Sequence, residues 1–319
     1  MHLPLEALPP RPAPDPLDVL AALAEAHPDS EIALLHSAPN ATFSVLATNP
    51  FLTLEVDAAA AAHLSTISGL ALPPPLHPLE ALGLTVKDIS FDAPHPLVGW
   101  LGFIAYDLAF TLEEIGRPHR DATPAWPLLR FSLYRHYLLF DHITKTCTPL
   151  AFDGEPSLAA ALLETAGAGA RGRVQASFSA ATLREATPRA AYVERIRAVQ
   201  GHIAAGDIYQ ANLAQRWTFS TQVPPHVIYR RLCERSPAHY AAYLQFRDHA
   251  GISRHVLSAS PELFLNMREG QVLTRPIKGT RPRDRADRVH DAALADELLA
   301  SEKDRAELAM ITDLLRDDL

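Results

Sequence analysis

The sequence predicts an α+β protein whose core is a large antiparallel β-sheet, or sandwich, with helices packed outside it. Short strand-like runs are separated by turn residues along most of the chain. Helical and strand patterns do not alternate in the regular βαβ manner that produces a parallel sheet. From about Asp291 onward the pattern is helical. These three observations together favour antiparallel strands followed by helices.

The first half combines one early helix with several strands. Asp15 is a suitable N-cap and Pro16 a suitable first helical residue, and Leu20 and Leu23 lie on the apolar face of the helix that follows. Strand-like runs then occur at Ile32–Leu35, Thr42–Leu46, Phe51–Val56 and Arg130–Phe140. The Pro39-Asn40 pair predicts a hairpin between the first two strands. The glycines of Val98–Asp107 are typical of a tightly packed core segment.

The composition predicts two domains joined by a linker. Residues 151–187 are rich in Ala, Gly and Ser, and we interpret them as the linker between domains at 1–150 and 188–319. The second domain should open with a helix capped by Thr187, with Pro188 first and Gly206 last. Residues 207–217 alternate and predict a strand with Gln210 on a polar face. Further strands are predicted at Tyr243–Phe246, Val256–Ala259, Leu263–Asn266 and Val272–Arg275.

The composition also excludes several classes of function. The chain has 319 residues, a net charge of −8 and 48% hydrophobic residues, which is unlike a general nucleic-acid binder. Its two cysteines provide no disulfide framework, and no apolar run is long enough to cross a membrane. The N-terminus lacks a secretory signal pattern. We therefore expect a cytoplasmic protein with no nucleic-acid or membrane partner.

One lysine lies in an unusual local context. Lys278 stands between Pro276-Ile277 and Gly279-Thr280, with arginines on both sides. Proline fixes its own backbone angle and glycine allows close approach to a ligand. A lysine held in this way can act as a nucleophile or as an anion clamp. A solvated basic turn between two strands is the alternative.

Acidic residues on either side of this lysine suggest further chemistry. Glu262 lies sixteen residues before Lys278, a spacing that suits a hairpin. It could be an acid/base partner of the amine or form a simple ion pair with it. Asp304 and Glu307 are three apart on a predicted helix and so share one face. They could bind Mg²⁺ or form a solvated acidic face.

Four ordered motifs resemble those of the chorismate-utilising enzymes. They are Gly206–Leu213, Ser260–Phe264, Pro276–Arg281 and Lys303–Glu307, followed by Asp313–Leu319. The family includes anthranilate synthase component I, aminodeoxychorismate synthase component I and the isochorismate and salicylate synthases. Residues 42–55 and 99–107 resemble the N-terminal domain of the two amine-transferring members. The resemblance implies the anthranilate synthase component I fold, with chorismate as substrate.

The resemblance also implies a subfamily. Gln210 stands where the water-using members have a lysine base, so ammonia is the expected nucleophile. Lys278 matches the lysine of the aminodeoxychorismate synthases, where anthranilate synthases usually have alanine. The implied product is 4-amino-4-deoxychorismate, used for p-aminobenzoate and folate synthesis. A glutamine amidotransferase subunit (component II) would supply the ammonia. An anthranilate synthase component I and a non-catalytic partner-binding fragment are the alternatives.

The site roles follow from the same resemblance. Lys278 would attack the chorismate ring, and Glu262 would be its acid/base partner. Gly279 and Thr280 would contact the substrate, and Asp304 and Glu307 would provide half of a Mg²⁺ site. The matched motifs end inside the family's pattern at Leu319, so the resemblance implies a catalytic domain incomplete at the C-terminus and little activity from this chain alone.

One further ligand site is suggested by the same family. Leu34-Leu35-His36-Ser37 partly resembles the family's tryptophan-binding element, which makes Ser37 a candidate tryptophan contact.

Overall fold

The computed structural model describes residues 2–37, 42–66, 77–87, 89–93, 95–114, 126–152, 159–161, 163–164, 184–185 and 187–319. By its internal contacts the chain divides into two units. The first consists of Met1–Arg171 and Tyr229–Leu319, and the second of Gly172–Ile228. The predicted hairpin turn at Pro39-Asn40 and most of the predicted linker at 151–187 lie outside the described residues.

The first unit contains most of the secondary structure. Its described strands are β1 (Glu6–Ala7), β2 (Arg11–Pro12), β3 (Ile32–His36), β4 (Phe43–Val56), β5 (Ala62–Thr66), β6 (Leu101–Ile104), β7 (Leu129–Asp141), β8 (Thr146–Ala151), β11 (Tyr240–Arg247), β12 (Ser253–Ser260), β13 (Leu263–Arg268) and β14 (Gln271–Arg275). Its helices are α1 (Pro16–Ala26), α2 (Pro78–Lys87), the short α3 (Ala109–Leu112), α6 (Arg288–Ala300) and α7 (Glu302–Asp318). Helix α5 (Pro225–Arg235) begins in the second unit and ends in the first.

Ten of the described strands form one antiparallel sheet. Its main order is β1-β8-β7-β4-β3-β11-β12, with β2 on β8, β5 on β4 and β6 on β7. The prediction of an α+β fold with a large antiparallel sheet is therefore confirmed. Strands β11 and β12 come from the second predicted domain, yet β11 pairs with β3. The contacts consequently do not divide the chain at residues 150 and 187.

The sheet is buried on both faces because apolar side chains occupy successive positions along its strands, and successive side chains point to opposite faces. Leu34 and Leu46 pack with α1 and with Tyr229 and Tyr243 on one face. Ala33, Val45 and Ala47 belong to a second cluster on the other face. Side chains one apart along a strand point to opposite faces, which explains this division. The Asp15 cap is confirmed, since its carboxylate accepts the N–H of Leu17 at 2.8 Å.

Two strands predicted separately are one long strand. β4 runs from Phe43 to Val56 and pairs with β7 along its length, with a shift of register between Pro50 and Leu52. Asn49 adopts a positive φ of 61° just before this irregularity. Asparagine tolerates that conformation well, so the turn-like Asn-Pro sequence bends the strand without ending it.

The predicted close backbone contact at residues 98–107 is confirmed at Gly102. A Cβ added to Gly102 would lie 1.9 Å from the carbonyl oxygen of Arg130. No side chain fits there, so β6 can approach β7 only with glycine at this position.

The second unit contains helix α4 (Arg189–Ala205) and the two-residue strands β9 (Arg184–Glu185) and β10 (Trp217–Thr218). The helix ends at Gly206 as predicted, but its N-cap is Pro188, one residue later than expected. The predicted strand at 207–217 is wrong, because residues 207–216 form no strand. Tyr209 is 87% exposed, so the alternating pattern does not correspond to a buried face.

The last part of the first unit is a hairpin followed by two helices. β13 and β14 pair antiparallel, and the helical region predicted from about Asp291 is confirmed as α6 and α7, separated at Ser301. Ser301 caps α7, since its hydroxyl accepts the N–H of Asp304 at 3.3 Å. None of the described helices is long and apolar enough to cross a membrane.

Candidate active site

The β13–β14 hairpin places Glu262 beside the loop that carries Lys278. Leu263 pairs with Arg275, so the residue before β13 faces the residues after β14. The Glu262 carboxylate accepts the backbone N–H of Ile277 at 3.0 Å. The predicted hairpin relation between Glu262 and Lys278 is thus present in the structure, with a backbone hydrogen bond one residue before the lysine.

Lys278 itself is half-buried in an irregular loop. Among the described residues, no ion pair joins its amine to Glu262 or to another carboxylate. The simple Glu–Lys ion pair considered from the sequence is therefore not formed here.

Gly279 brings the lysine loop against helix α7. It has a φ of +72°, and a Cβ added there would lie 2.8 Å from Cβ and Cγ of Asp304. It would also lie 3.0 Å from Cδ1 of Leu298. Glycine is thus required twice, once for the left-handed backbone and once for the contact with α7. The loop and the first acidic residue of α7 are therefore immediate neighbours.

Arg281 bridges the two helices to the same loop. Its Nε donates to Glu297 of α6 at 2.7 Å, and its Nη1 lies 3.4 Å from Oδ2 of Asp304 on α7. The hydrogen bond that Arg281 donates to Glu297 is the main reason that the pKa of Arg281 is raised, with Asp304 adding to it. Sequence reasoning gave this arginine no role.

The acidic pair of α7 lies on one face, as predicted. Asp304 and Glu307 are both half-buried, while Lys303, Arg305 and Leu308 between and beside them are exposed. Mg²⁺ is commonly held by one or two carboxylates, completed by water and substrate oxygens. These two carboxylates fit that pattern, although Mg²⁺ would have to displace Arg281 from Asp304. The described residues gather no third ligand around them.

Of the two remaining candidates, one lies in the second unit and the other in the lysine loop. Gln210 is exposed and belongs to the second unit, which is described by itself. Thr280 is exposed, and its carbonyl accepts from Nη1 of Arg281 at 2.9 Å.

Ser37 lines a separate cavity of about 420 Å³ in the first unit. The N–H of Ser37 donates to the hydroxyl of Ser44 at 3.2 Å, and that hydroxyl contacts Nε2 of His142 at 2.7 Å. His36 also lines the cavity, and burial lowers the pKa of its imidazole. Its Nδ1 is buried and lacks a hydrogen-bond partner among the described residues. The cavity thus combines a largely apolar lining with a polar group at Ser37, Ser44 and His142, and the tryptophan contact of Ser37 stays a prediction.

A second polar cluster was missed by sequence reasoning. Arg130 of β7 and Glu55 of β4 are directly opposite in the sheet and form an ion pair at 2.5 Å. Arg130 also donates to Glu31 at 2.8 Å and lies 4.7 Å from the ring of Phe246. The sequence carries no local signal for this cluster, because Arg130 lies 99 residues from Glu31 and 75 residues from Glu55.

The comparisons identify the class of protein. Residues 31–319 match the family described as chorismate binding enzyme, so the chain belongs to that family. The chain is 37% identical over 232 residues to aminodeoxychorismate synthase component 1 of Klebsiella aerogenes, covering 71% of this chain and 49% of that protein. It is 35% identical over 242 residues to anthranilate synthase component 1 of Thermus thermophilus, covering 72% and 49%. The chain thus spans about half the length of these curated relatives.

A longer match agrees with this assignment, and two solved structures share the fold. Aminodeoxychorismate synthase component 1 of Salmonella typhimurium is 32% identical over 303 residues, covering 90% of this chain and 62% of that protein. Anthranilate synthase component I of Streptococcus pneumoniae superposes with a TM-score of 0.67 at 24% identity, covering 88% of this chain and 61% of that one. The menaquinone-specific isochorismate synthase of Escherichia coli has a TM-score of 0.54 at 12% identity, covering 98% and 63%. At these identities the structures show the shared fold.

Proposed function

We propose that this chain is part of an aminodeoxychorismate synthase component 1, which replaces the C4 hydroxyl of chorismate by an amine. The observation that carries the proposal is Lys278, a half-buried residue with no ion-pair partner among the described residues. In the sequence it stands between Ile277, whose N–H donates to Glu262, and Gly279, which contacts Asp304. An ion-paired lysine would have to lose its partner before it could attack. Lys278 has no such partner among the described residues.

The proposed chemistry begins with attack of the Lys278 amine on the chorismate ring. A carbon–nitrogen bond forms, and the C4 hydroxyl leaves with its bonding electrons. Glu262 in its acid form protonates that hydroxyl, so that water departs, and its carboxylate form takes a proton from the attacking amine. Ammonia then displaces the lysine and restores the free enzyme. The enolpyruvyl group stays on the product throughout.

The lysine loop and helix α7 would supply groups that bind and orient the substrate. Gly279 leaves its backbone accessible, and Thr280 adds a hydroxyl beside it. Gln210 is an amide and cannot act as a general base near neutral pH, which agrees with ammonia rather than water as the incoming nucleophile. Asp304 and Glu307 would hold Mg²⁺, which neutralises a carboxylate of the substrate when it is bound. Arg281 would keep its bond to Glu297 when Asp304 turns to the metal.

The partner and location follow from the proposed activity. Several relatives are named as component 1 of their enzymes, which supports a second component. We propose that it is a glutamine amidotransferase that supplies ammonia, in the cytoplasm, for p-aminobenzoate and folate synthesis.

The test uses a fusion, because the chain spans about half of its curated relatives. Residues 1–319 are joined to the remaining C-terminal part of the Salmonella relative, whose own full-length protein is the positive control. Chorismate, Mg²⁺ and ammonium are added, and products are separated by chromatography. We expect 4-amino-4-deoxychorismate without release of pyruvate. Anthranilate with pyruvate would contradict the proposal, and so would a folded fusion that makes neither product.

Anthranilate synthase component 1 is the second candidate, because the Thermus protein matches nearly as well as the Klebsiella protein. Lys278→Ala in the fusion separates the two. Under our proposal this variant loses aminodeoxychorismate formation by roughly 100-fold or more, the usual scale for a missing nucleophile. An anthranilate synthase would tolerate it.

A further inference from the structure

Two hairpin turns of the large sheet bring three potential metal ligands together. Asp57 follows β4, His63 lies in β5, and His249 lies in the turn between β11 and β12. One ligand atom from each lies within 4.8 Å of the other two. Nε2 of His63 is 2.8 Å from Oδ2 of Asp57, and Nε2 of His249 is 3.8 Å from the same oxygen. The two imidazole rings are stacked, with centroids 4.3 Å apart.

These distances suit a tetrahedral transition-metal ion. With metal–ligand bonds of about 2.0–2.1 Å, two ligands of a tetrahedral Zn²⁺ ion are roughly 3.3 Å apart. The observed 2.8 and 3.8 Å lie on either side of that value. Small rotations of the side chains would therefore place all three atoms at bonding distance. All three side chains have some exposure, so an ion can reach them.

His249 is oriented as a metal ligand is usually oriented. Its Nδ1 lies 2.8 Å from Oε1 of Glu55, and its backbone N–H donates to the same oxygen at 2.9 Å. A carboxylate can only accept, so Nδ1 carries the proton and Nε2 has the free lone pair. Glu55 is in turn fixed by Arg130. A carboxylate behind a histidine is the arrangement that typically fixes the ring in zinc sites.

The carboxylate of Asp57 is also oriented as a metal ligand would be. Its Oδ1 accepts the N–H groups of Ala59 and Ala61 at 2.8 and 2.9 Å, which leaves Oδ2 facing the histidines. The backbone thus fixes the carboxylate with its second oxygen turned toward the two imidazoles.

We propose that Asp57, His63 and His249 bind a divalent transition-metal ion of the Zn²⁺ type, with water in the fourth position. His63 binds the ion as the neutral tautomer that carries its proton on Nδ1, so that the proton moves from Nε2 to Nδ1, and the ion joins the β4–β5 turn to the β11–β12 turn. Two imidazoles favour such a metal over Mg²⁺, which prefers oxygen ligands. This site is separate from the Asp304–Glu307 pair, and the proposal is independent of the chemistry proposed for Lys278.

The test measures Zn²⁺ affinity of the tag-free, chelator-treated chain by competition with a chromophoric chelator, in excess Mg²⁺ to occupy oxygen sites. Co²⁺ is used as a spectroscopic probe of tetrahedral geometry. We expect one ion per chain and the visible absorption of tetrahedral Co²⁺. His63→Ala and His249→Ala should each weaken Zn²⁺ binding by roughly 100-fold or more, beyond the 10–100-fold typical of losing an outer group.

A matched control is available in the second unit. His202 pairs with Asp207 at 2.9 Å, as His63 does with Asp57, but no second histidine joins them in the described part of the chain. His202→Ala should leave the affinity for Zn²⁺ unchanged. Zn²⁺ should also raise the unfolding midpoint by roughly 5 °C at saturating concentration in the wild type and the His202 variant only. Absence of stoichiometric binding, or binding retained in His63→Ala, would overturn the proposal.

Discussion

The ten-stranded sheet and the segment that follows it, residues 261–319, differ in where their side chains lie. The sheet is buried on both faces and encloses ion pairs as well as apolar residues. In the following segment no residue is buried, although it carries Lys278, Glu262, Asp304 and Glu307. Stability and candidate chemistry are therefore separated along the chain. Substitutions in the sheet should unfold the protein, whereas those in the segment should change ligand binding or chemistry.

The largest effect should follow from Arg130→Leu. The change leaves the almost fully buried Glu55 without its main partner, which typically costs about 3–5 kcal/mol. Arg268→Leu is the control, because Arg268 pairs at 3.5 Å with Glu269 and both are exposed. Exposed pairs contribute about 0–1 kcal/mol. Urea unfolding measures both, and equal losses would contradict the contrast between the two regions.

The next largest difference between the two regions should come from replacing a leucine by alanine in each. Leu34 is fully buried in the sheet, and Leu34→Ala should lower the free energy of unfolding by about 2–5 kcal/mol. Leu299 of α6 is 72% exposed, and Leu299→Ala should change it by about 0.5 kcal/mol or less. If Leu299→Ala proved as damaging, α6 would contribute to a core that the described contacts do not show.

Asp248→Asn tests the sheet through pH. Burial acts to raise the pKa of Asp248. The hydrogen bonds from the N–H of Ile252 and from the guanidinium of Arg254, at 3.0 Å, together have the larger effect, so the pKa lies below its usual value. A depressed carboxyl stabilises the fold above its unfolded pKa of about 4 and loses that effect as pH falls through the folded value. The variant should therefore lose about 2 kcal/mol at neutral pH and nothing in strong acid. A loss independent of pH would contradict this assignment.

The smallest of these effects lies in the segment. Gly279→Ala places a left-handed alanine against Asp304, whereas Gly270→Ala meets the same backbone demand at φ 76° with no atom within 4 Å. Both should cost about 1–2 kcal/mol for the backbone. Only the first should also increase hydrogen exchange in residues 276–281 and at the start of α7. Identical exchange in the two variants would show that the Gly279–Asp304 contact is unimportant.

The fold was predictable wherever a local pattern coincided with burial. The Asp15 cap and the Val–Leu-rich strands are local signals, and the structure confirms them. The strand predicted at 207–217 failed because alternation alone gives no partner strand. The continuity of β4 could not be predicted either, because an Asn-Pro sequence can end a strand or bend it. Only the pairing of β4 with β7 on both sides of Pro50 shows that the strand continues.

The candidate site was predictable in part for a similar reason. The spacing of Glu262 and Lys278 and the shared face of Asp304 and Glu307 follow from hairpin and helix periodicity. The role of Arg281 and the cluster of Asp57, His63 and His249 do not, because they depend on elements packed together across long stretches of chain. His249 lies 194 residues from Glu55, and nothing near either residue in the sequence signals that contact.

The central claim is that Lys278 is a nucleophile, and intact-mass spectrometry with peptide mapping tests it most directly. The fusion described above is mixed with chorismate and Mg²⁺ while ammonium is withheld. We predict an adduct with the mass of chorismate minus water, confined to the peptide that contains Lys278 and absent in Lys278→Arg, which keeps the charge. Added ammonium should discharge the adduct as 4-amino-4-deoxychorismate. No adduct, together with undiminished turnover in Lys278→Arg, would contradict the claim.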